Sequence, residues 1–559
     1  MRKLLLILLI AGCQRTPGTP PPRRITVVTT QEPDALLPQF SESIAANQVV
    51  EAGTRYLTQY DRDWRMVPGV AESIPSLGEG GGVILLDAAG AVTTDPDRAA
   101  KMVVNWHLRR DVRWADGQRL VARDFVLGHQ VVMDPSQEVR DRSLAEKIED
   151  IRATDDATLR VTWKEPFAFF TAFRNHVPLP AHVVEAFWVG DGGARGALKK
   201  SPWLRRPLYY GPFALGEWRP GEWIRLVRNP VAFAPPRVDE VVWRFAGSDR
   251  AALSLLEAGE ADAIAPDGSI GVDLAEELRA RRGGDFVVDL APGMVWAHID
   301  FNCEDEWLRD ARLRRALASA IDRRSVVDRV FHGRYATVDT LFPPRHEGNP
   351  AQPEPIRYDP QAARAELDAL GYPVGAGGLR HDAKGRVLSL ELAYATGVKA
   401  AEDALTAFQA QWRAVGVEVR LVGSPARVFF GDVLKQRKSP HLAFYAFTMD
   451  PMAYGETFLS SRHIPSEANR WTGQNQAAWR NAEVDALMDA VPRTLDAARR
   501  RDLLRHAAEI FRRELPMLPV YTRPVVSARR KDLLGWAPTG THTTVSWNIE
   551  SWEVRATRP

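Results

Sequence analysis

The residues most able to do chemistry in this sequence are its histidines, cysteines and paired acids, and their spacing fits none of the common catalytic sites. His176 and His182 lie six residues apart with two prolines between them, a spacing that matches neither one face of a helix nor one face of a strand. Cys303 lies among acids in HIDFNCEDEW, a setting that raises a thiol pKa instead of activating it. No GxSxG, HExxH or Walker motif occurs. We therefore expect no enzymatic activity, no cofactor and no metal.

Cys13 is the one residue whose context predicts a modification. A short basic head, Arg2 and Lys3, precedes the apolar run LLLILLI and the small pair Ala-Gly. That order is typical of a secretory signal, and the run is too short to span a bilayer, which takes about 20 apolar residues. The ending Ile-Ala-Gly-Cys resembles a bacterial lipobox, in which residues 1–12 are removed and Cys13 carries lipid. The alternative is an ordinary signal cut near the same place, with Cys13 incidental.

The composition limits what holds the fold together and what it binds. After Cys13, residues 14–24 read QRTPGTPPPRR, a proline-rich stretch typical of an extended tether. The only other cysteine is Cys303, so we expect an ordinary hydrophobic core and no disulfide framework. The chain has 559 residues, of which 45% are hydrophobic, enough for two or more domains. Its formal net charge of +2 gives no electrostatic case for a nucleic-acid partner.

The hydrophobic periodicity predicts a mixed α/β fold. Alternating runs predict strands at 25–29, 103–108, 223–228 and 238–245. Helical repeats predict helices at 311–330, 359–371, 402–415 and 496–514. In the second of these helices Asp359 can cap the N-terminus, Pro360 fits the first turn and Gly371 can end the helix. Helix 402–415 leads through Gly416 into the strand VEVRLV, a unit typical of α/β layers.

Several ordered blocks of the sequence carry a family resemblance. They include ITVVTTQEPDALLPQF, VVNWHLRRDVRWADGQRLVARDF, GPFALGEWRPGEWIRLVRNPVAF, SLLEAGEADA and LRRALASAIDRRSVVDRVFHGRYATVDTLFPP. Together and in this order they resemble the dipeptide- and oligopeptide-binding proteins of ABC importers, the family 5 extracytoplasmic solute-binding proteins. The resemblance spans nearly all of the chain after the tether.

The resemblance implies an α/β, two-lobed periplasmic-binding-protein-like fold with an extra domain on the N-terminal lobe and a ligand cleft between the lobes. The implied layout is interleaved. It comprises a signal peptide at 1–12, a lipid-anchored tether at 13–24, lobe I at 25–62, 205–290 and 525–559, the extra domain at 63–204, and lobe II at 291–524.

The segment HLAFYAFTMDPMAYGETFLSS, residues 441–461, resembles the family's ligand strand, in which an Asp pairs with the peptide α-amino group. The resemblance implies that Asp450 is this anchor, although Asp450 falls one residue before the expected place and an Asp-Pro turn explains it equally well. We expect backbone groups of Ala446, Phe447 and Thr448 to meet the ligand. Tyr445 and Trp471 are candidate pocket walls, with core packing as the alternative.

The function implied by the resemblance is capture of short peptides for the permease and ATPase subunits of an ABC importer. The protein would be a monomeric lipoprotein, periplasmic or on the cell surface and held at the membrane by its lipid anchor, with no nucleic-acid partner. The alternative keeps the fold and changes the solute to a nickel chelate, haem, an opine or an oligosaccharide.

Overall fold

The computed structural model of the chain describes residues 22–41, 43–137, 139, 142–171, 177–188, 202–266, 268–342, 345–350, 353–449, 452–541 and 544–555. Cys13, His176 and Asp450 lie outside these residues. Within them, no helix has the length and apolar character needed to cross a membrane.

The described chain contains both strands and helices, as a mixed α/β fold requires, but they do not strictly alternate, because the strands between residues 58 and 107 and those between 213 and 245 follow one another without an α-helix. The strands are β1 Arg24–Thr29, β2 Thr58–Tyr60, β3 Met66–Pro68, β4 Ser76–Leu77, β5 Gly82–Leu86, β6 Val92–Thr93, β7 Lys101–His107, β8 Ile148–Asp155, β9 Thr158–Trp163, β10 Phe213–Arg219, β11 Trp223–Arg228, β12 Glu240–Phe245, β13 Ala263–Ile264, β14 Phe286–Phe301, β15 Ala336–Thr337, β16 Ser389–Thr396, β17 Glu418–Pro425, β18 Leu442–Thr448, β19 Met517–Arg530, β20 Leu533–Leu534 and β21 Glu553–Val554. The helices are α1 Ile44–Gly53, α2 Ala122–Met133, α3 Ser143–Glu146, α4 Ala181–Trp188, α5 Asp249–Glu257, α6 Val272–Arg282, α7 Ala311–Ser319, α8 Arg323–Val330, α9 Pro360–Ala369, α10 Lys399–Ala414, α11 Ala426–Val428, α12 Glu456–Leu459, α13 Ala482–Ala490 and α14 Ala497–Glu514.

The two longest strands, β14 and β19, are paired with each other in the middle of the main sheet, and the other strands of the sheet form one group on each side of this pair. Across the described residues the strand order is β10-β11-β12-β1-β13-β19-β14-β18-β16-β17, with β15 also beside β19. The first sheet half consists of β10, β11, β12, β1 and β13, and the second of β15, β18, β16 and β17. A separate sheet, β4-β5-β7-β9-β8, forms between residues 76 and 163.

The β14–β19 pair is irregular at the point where the two sheet halves meet. Its register is regular from Phe286 to Ala291, shifts, and resumes at Val295. Gly293 lies in the gap, and a Cβ added to it would come 2.0 Å from the carbonyl oxygen of Arg523. A side chain at position 293 would therefore push the two long strands apart, so this close approach requires glycine.

Each sheet half has its own hydrophobic core. Helices α7 to α10 cover one face of the second half through a cluster that includes Leu313, Leu405 and Phe444. Two clusters, around Trp243 and around Leu253, fill the first half. The largest cluster is shared between the separate sheet and the second half.

That shared cluster joins Trp106 and Trp163 of the separate sheet to Trp296 of β14 and Phe511 of α14. Ring stacking between Phe169 and Tyr454, with centroids 5.1 Å apart, lies at the same junction. The separate sheet and the second sheet half are thus packed as one apolar body in this structure.

Most of the predicted elements are present, with one clear difference. Asp359 caps α9 by accepting from the backbone N–H groups of Gln361 and Ala362. The predicted helix 311–330, in contrast, is two helices, because the side chain of Asp322 accepts from the N–H of Ser325 and starts α8 as a new helix.

Candidate functional site

The carboxyl ends of the parallel strands of both sheet halves point at the junction between them. Strands β16 and β18 are parallel, and β18 runs antiparallel to β14. Strands β1, β12 and β13 are parallel, and β13 runs antiparallel to β19. Because β14 and β19 are themselves antiparallel, the two sets of strands run toward each other. Open α/β sheets bind ligands outside the carboxyl ends of their strands, which makes this junction the candidate cleft.

Strand β18 has an open edge at its carboxyl end. Its pairing with β16 covers Leu442 to Phe444 and then stops, although β18 continues to Thr448 and β16 to Thr396. On its other side β18 stays paired with β14 along its whole length. The last four residues of β18 therefore have one hydrogen-bonded neighbour among the described strands instead of two.

The alternation of an antiparallel ladder shows which backbone groups face the open edge. The N–H of Met449 donates to the carbonyl of Met294 at 3.0 Å, in register with the β14–β18 pairs. Since every second residue of such a ladder faces the partner strand, Phe447 and Tyr445 turn their N–H and C=O groups toward β14. Ala446 and Thr448 turn theirs toward the open edge.

A buried polar group lies on the sheet face beneath this edge. The Tyr445 hydroxyl donates to Asp300 Oδ2 at 2.6 Å, and His298 Nε2 lies 3.3 Å from Asp300 Oδ1 without the alignment of a hydrogen bond. Burial raises the pKa of Asp300 to about 7 and lowers that of His298 to about 3. Both groups are therefore held neutral near pH 6, since the protein interior disfavours either charge.

Aromatic rings pack around this polar group. The His298 ring stacks on Trp296 at a centroid distance of 4.2 Å and on Phe447 at 4.9 Å. Phe447 also stacks on Phe458 at 5.5 Å. Phe447 is partly exposed, whereas Trp296 and His298 are fully buried. Phe447 is therefore the member of the stack that can meet a ligand.

The residues predicted from the sequence are placed differently from one another. Ala446 is partly exposed and Thr448 is exposed, both with backbone groups at the open edge. Tyr445 is buried, and its hydroxyl is engaged by Asp300. Trp471 is partly buried in a turn in which its N–H donates to the carbonyl of Ser466.

The first sheet half contributes a group of hydroxyls that the sequence alone did not single out. At the carboxyl end of β1, the N–H of Thr30 donates to Ser269 Oγ at 2.7 Å, and the two hydroxyls lie 3.3 Å apart. Ser269 is fully buried. These residues are 239 positions apart, so no local sequence signal could have paired them.

The described residues contain no cluster of three or more His, Cys, Asp or Glu side chains arranged to hold a metal ion. Cys303 is one of the described residues, and burial raises the pKa of its thiol to about 11. A thiol in that state is a poor nucleophile. The described groups at the candidate cleft, namely the open backbone edge of β18, the partly exposed Phe447 ring and the hydroxyls of Thr30 and Ser269, offer hydrogen bonding and apolar contact.

Comparison with known proteins gives a consistent result. The family described as bacterial extracellular solute-binding proteins, family 5 Middle, matches residues 65–466. A probable deoxycholate-binding periplasmic protein of Escherichia coli (strain K12) is 26% identical over 458 residues, covering 75% of this chain and 77% of the relative. A glutathione-binding protein of Escherichia coli O6:K15:H31 is 25% identical over 508 residues, covering 88% and 92%.

Solved structures show the same fold. The oligopeptide-binding protein of Bacillus subtilis in complex with a nonapeptide superposes with a TM-score of 0.71 at 20% identity, covering 96% of this chain and all of that one. A protein of Campylobacter jejuni in complex with Ni(L-His) superposes with a TM-score of 0.73 at 19% identity, covering 95% and 99%. The chain therefore has the two-lobed fold of these binding proteins, with a cleft between the lobes.

Proposed function

Since the chain belongs to the family 5 bacterial extracellular solute-binding proteins, we propose that it captures short peptides between its lobes for the permease and ATPase subunits of an ABC importer. The observation that carries the proposal is the open edge of β18. A peptide added there as a strand has its backbone hydrogen bonds satisfied whatever its side chains are. The glutathione-binding and nonapeptide-bound relatives support a peptide as the solute.

The direct test is to identify what the protein holds. Native protein purified without denaturation would be analysed by mass spectrometry for retained small molecules. We expect peptides of a few residues. Retention of a bile acid, a metal chelate or a sugar in their place would exclude the peptide proposal and leave the fold unaffected.

Asp450 is proposed as the anchor for the peptide amino group. It lies two residues beyond the end of β18, and burying an ammonium without a partner costs several kcal/mol. The experiment is calorimetry with trialanine and N-acetyl-trialanine on the wild type and on Asp450→Ala. We expect each single change to weaken binding by about 2–5 kcal/mol.

The combination of both changes separates the anchor from a turn residue. If Asp450 pairs with the amine, acetylation costs little further in the variant, because both changes remove the same interaction. Additive losses would show that Asp450 acts elsewhere, as the first residue of an Asp-Pro turn.

A second candidate function is capture of a non-peptide solute, such as a nickel chelate, haem, an opine or an oligosaccharide. It is favoured by the partly exposed Phe447 ring and by relatives named for deoxycholate and bound to Ni(L-His). Apolar walls with few polar groups suit many small ligands. Thermal shifts with nickel–histidine and with deoxycholate, compared with trialanine, would distinguish the two functions.

We further propose that the mature protein is a monomeric lipoprotein anchored through Cys13 in the periplasm or at the cell surface. Cys13→Ala should release it from the membrane fraction, and unchanged mass and detergent partitioning would contradict the proposal.

The lobe boundaries at 290/291 and 524/525 are proposed as the hinge, because the β14–β19 register breaks beside them. Small-angle scattering with and without ligand would detect closure about this point.

A further inference from the structure

Arg523 is a partly buried cation without an anionic partner among the described residues. Most partly or fully buried arginines of the described chain donate to a carboxylate, to a side-chain amide oxygen or to backbone carbonyls. Arg529, on the same strand, pairs with Asp289 at 3.0 Å, and Arg323 pairs with Asp339. Arg523 has no carboxylate within 4.0 Å in the described chain. Among the described residues, the only other partly buried arginine that lacks all three kinds of partner is Arg501 of α14.

The surroundings of Arg523 are tyrosine hydroxyls. Burial raises the pKa of Tyr521 to about 12 and also raises that of Tyr335. The positive charge of Arg523 opposes both shifts, and its guanidinium also donates a hydrogen bond to the Tyr521 hydroxyl. The two phenol rings lie 5.2 Å apart. Asp273 also influences Tyr335, but its side chain is 81% exposed and faces His332 at 3.7 Å. The Arg523 guanidinium is therefore partly buried among tyrosine rings, and no carboxylate of the described chain neutralises its charge.

The position of Arg523 in the sheet connects it to the ligand edge. It pairs with Val295 of β14, and Val295 pairs with Thr448 of β18 on the other side. Directly paired residues project from the same face of a sheet, so the three side chains form one row that ends at the open edge. Adjacent strands lie about 4.8 Å apart, which puts Arg523 roughly 10 Å from Thr448, measured between strands.

The Arg523 guanidinium lies beside the Tyr521 hydroxyl, and a turn of its side chain across Val295 would bring it to a group of the ligand that lies over Thr448. A partly buried binding site that contains one fixed positive charge favours a ligand with a negative charge, because an unpaired buried ion is costly. Arginine also matches the planar, two-oxygen geometry of a carboxylate.

We infer that Arg523 is the anchor for a carboxylate of the captured solute, which in a short peptide is the C-terminal carboxylate. The inference rests on the proposed function, and it specifies that the part of the cleft near the proposed hinge binds a carboxylate of the ligand. With Asp450 proposed for the amino end, it gives the cleft one charged contact for each end of a short peptide.

The experiment uses two pools of random tripeptides without acidic side chains, one with free C-terminal carboxylates and one amidated. Each pool is equilibrated with the full-length protein, and retained peptides are counted by mass spectrometry. We expect the wild type to prefer the carboxylate pool by about 30-fold or more, the equivalent of losing one partner of a buried charged pair. Arg523→Gln should remove the preference, and Arg523→Lys should keep part of it.

Arg501→Gln is the matched control, since Arg501 is also partly buried and without an anionic partner but lies on α14. It should keep the full preference. Melting temperatures of all variants show whether each one folds, and the lysine variant preserves the test if glutamine does not.

Three outcomes overturn the inference. Equal retention of both pools by the wild type would reject Arg523 as an anchor and leave the peptide function standing. A preference that survives in Arg523→Gln would place the anchor on another residue. Retention of neither pool would reject the peptide function, and with it the inference that rests on it.

Discussion

The two halves of strand β18 have the same neighbour on one side and different neighbours on the other. Leu442 to Phe444, the inner half, are paired with both β14 and β16, and all three residues are buried. Tyr445 to Thr448, the outer half, are paired with β14 alone, and exposure rises toward Thr448. One strand thus has an inner half that is bonded on both sides and an outer half with an open edge, where we propose that the ligand adds.

The difference follows from where the backbone hydrogen bonds go. Buried N–H and C=O groups need partners, and in the inner half there is a paired strand on each side to supply them. In the outer half, the backbone groups of Ala446 and Thr448 face the open edge, where no described strand is paired with them. Substitutions along this one strand should therefore separate effects on folding from effects on binding.

The largest expected effect is on the inner half. Phe444 is 7% exposed and packs in the cluster shared with Leu313 and Leu405. Phe444→Ala should lower the free energy of unfolding by about 3–5 kcal/mol, because it leaves a cavity in a core that cannot fully collapse. Urea denaturation followed by circular dichroism measures it.

Phe447→Ala in the outer half is the matched control. The same atoms are removed, but the ring is partly exposed, so less apolar area returns to water and the loss of stability should be clearly smaller. Ligand affinity should move in the opposite order, with Phe447→Ala the more damaging of the two. Equal losses of stability would mean that the outer half is as structural as the inner half.

The second prediction concerns the buried pair His298 and Asp300 beneath the outer half. In the unfolded chain near pH 5 the histidine is protonated and the aspartate is ionised, so the pair holds one proton. In the folded protein the raised pKa of Asp300, about 7, and the lowered pKa of His298, about 3, also leave one proton on the pair, now on the carboxyl group. Equal proton numbers mean that the pair adds no slope to stability against pH in this range.

Asp300→Asn should reveal the hidden histidine slope. With His298 alone, the folded pKa lies below the unfolded value, so its stability is present above about pH 6.5 and is lost as the pH falls. Relative to the wild type, the variant should lose about 2–3 kcal/mol between about pH 6.5 and 4.5, at roughly 1.4 kcal/mol per unit. Urea midpoints at both pH values measure this loss.

His298→Gln supplies the opposite sign. It leaves Asp300 with a folded pKa above the unfolded one, so the stability it contributes is present below about pH 4 and is lost as the pH rises toward 7. Stability curves of the two variants that run parallel to the wild type would show that the pair does not titrate as these pKa shifts require.

Much of the fold could be predicted from the sequence because its signals are local. The cap at Asp359 predicted the start of α9, and in the structure Asp359 accepts from the first backbone N–H groups of that helix. The prediction of one helix over 311–330 overlooked the break near Asp322, because the apolar repeat continues through Ile321. In the structure Asp322 caps the second helix. One capping hydrogen bond outweighed the periodicity.

The candidate site was less predictable because its features depend on pairing between distant strands. The segment around β18 was identified by resemblance, but which of its residues face the cleft depends on the register with β14 and on where β16 ends. The row from Arg523 through Val295 to Thr448 joins three segments of the chain. No periodicity within one segment contains that information.

The smallest expected effect tests the open edge itself. Ala446→Pro removes one N–H that faces the cleft, and proline is tolerated in strands where the N–H points to solvent. Folding should be nearly unchanged, whereas a ligand that adds as a strand loses one hydrogen bond. We expect affinity for a retained peptide to fall by about 0.5–1.5 kcal/mol, or at most roughly tenfold, as measured by calorimetry. Phe447→Pro is the contrast, because the N–H of Phe447 faces β14 and its loss should lower the urea midpoint. If Ala446→Pro lowered that midpoint as much as Phe447→Pro does, the N–H of Ala446 would be bonded within the protein, and the two halves of β18 would not differ in the way that the proposed function requires.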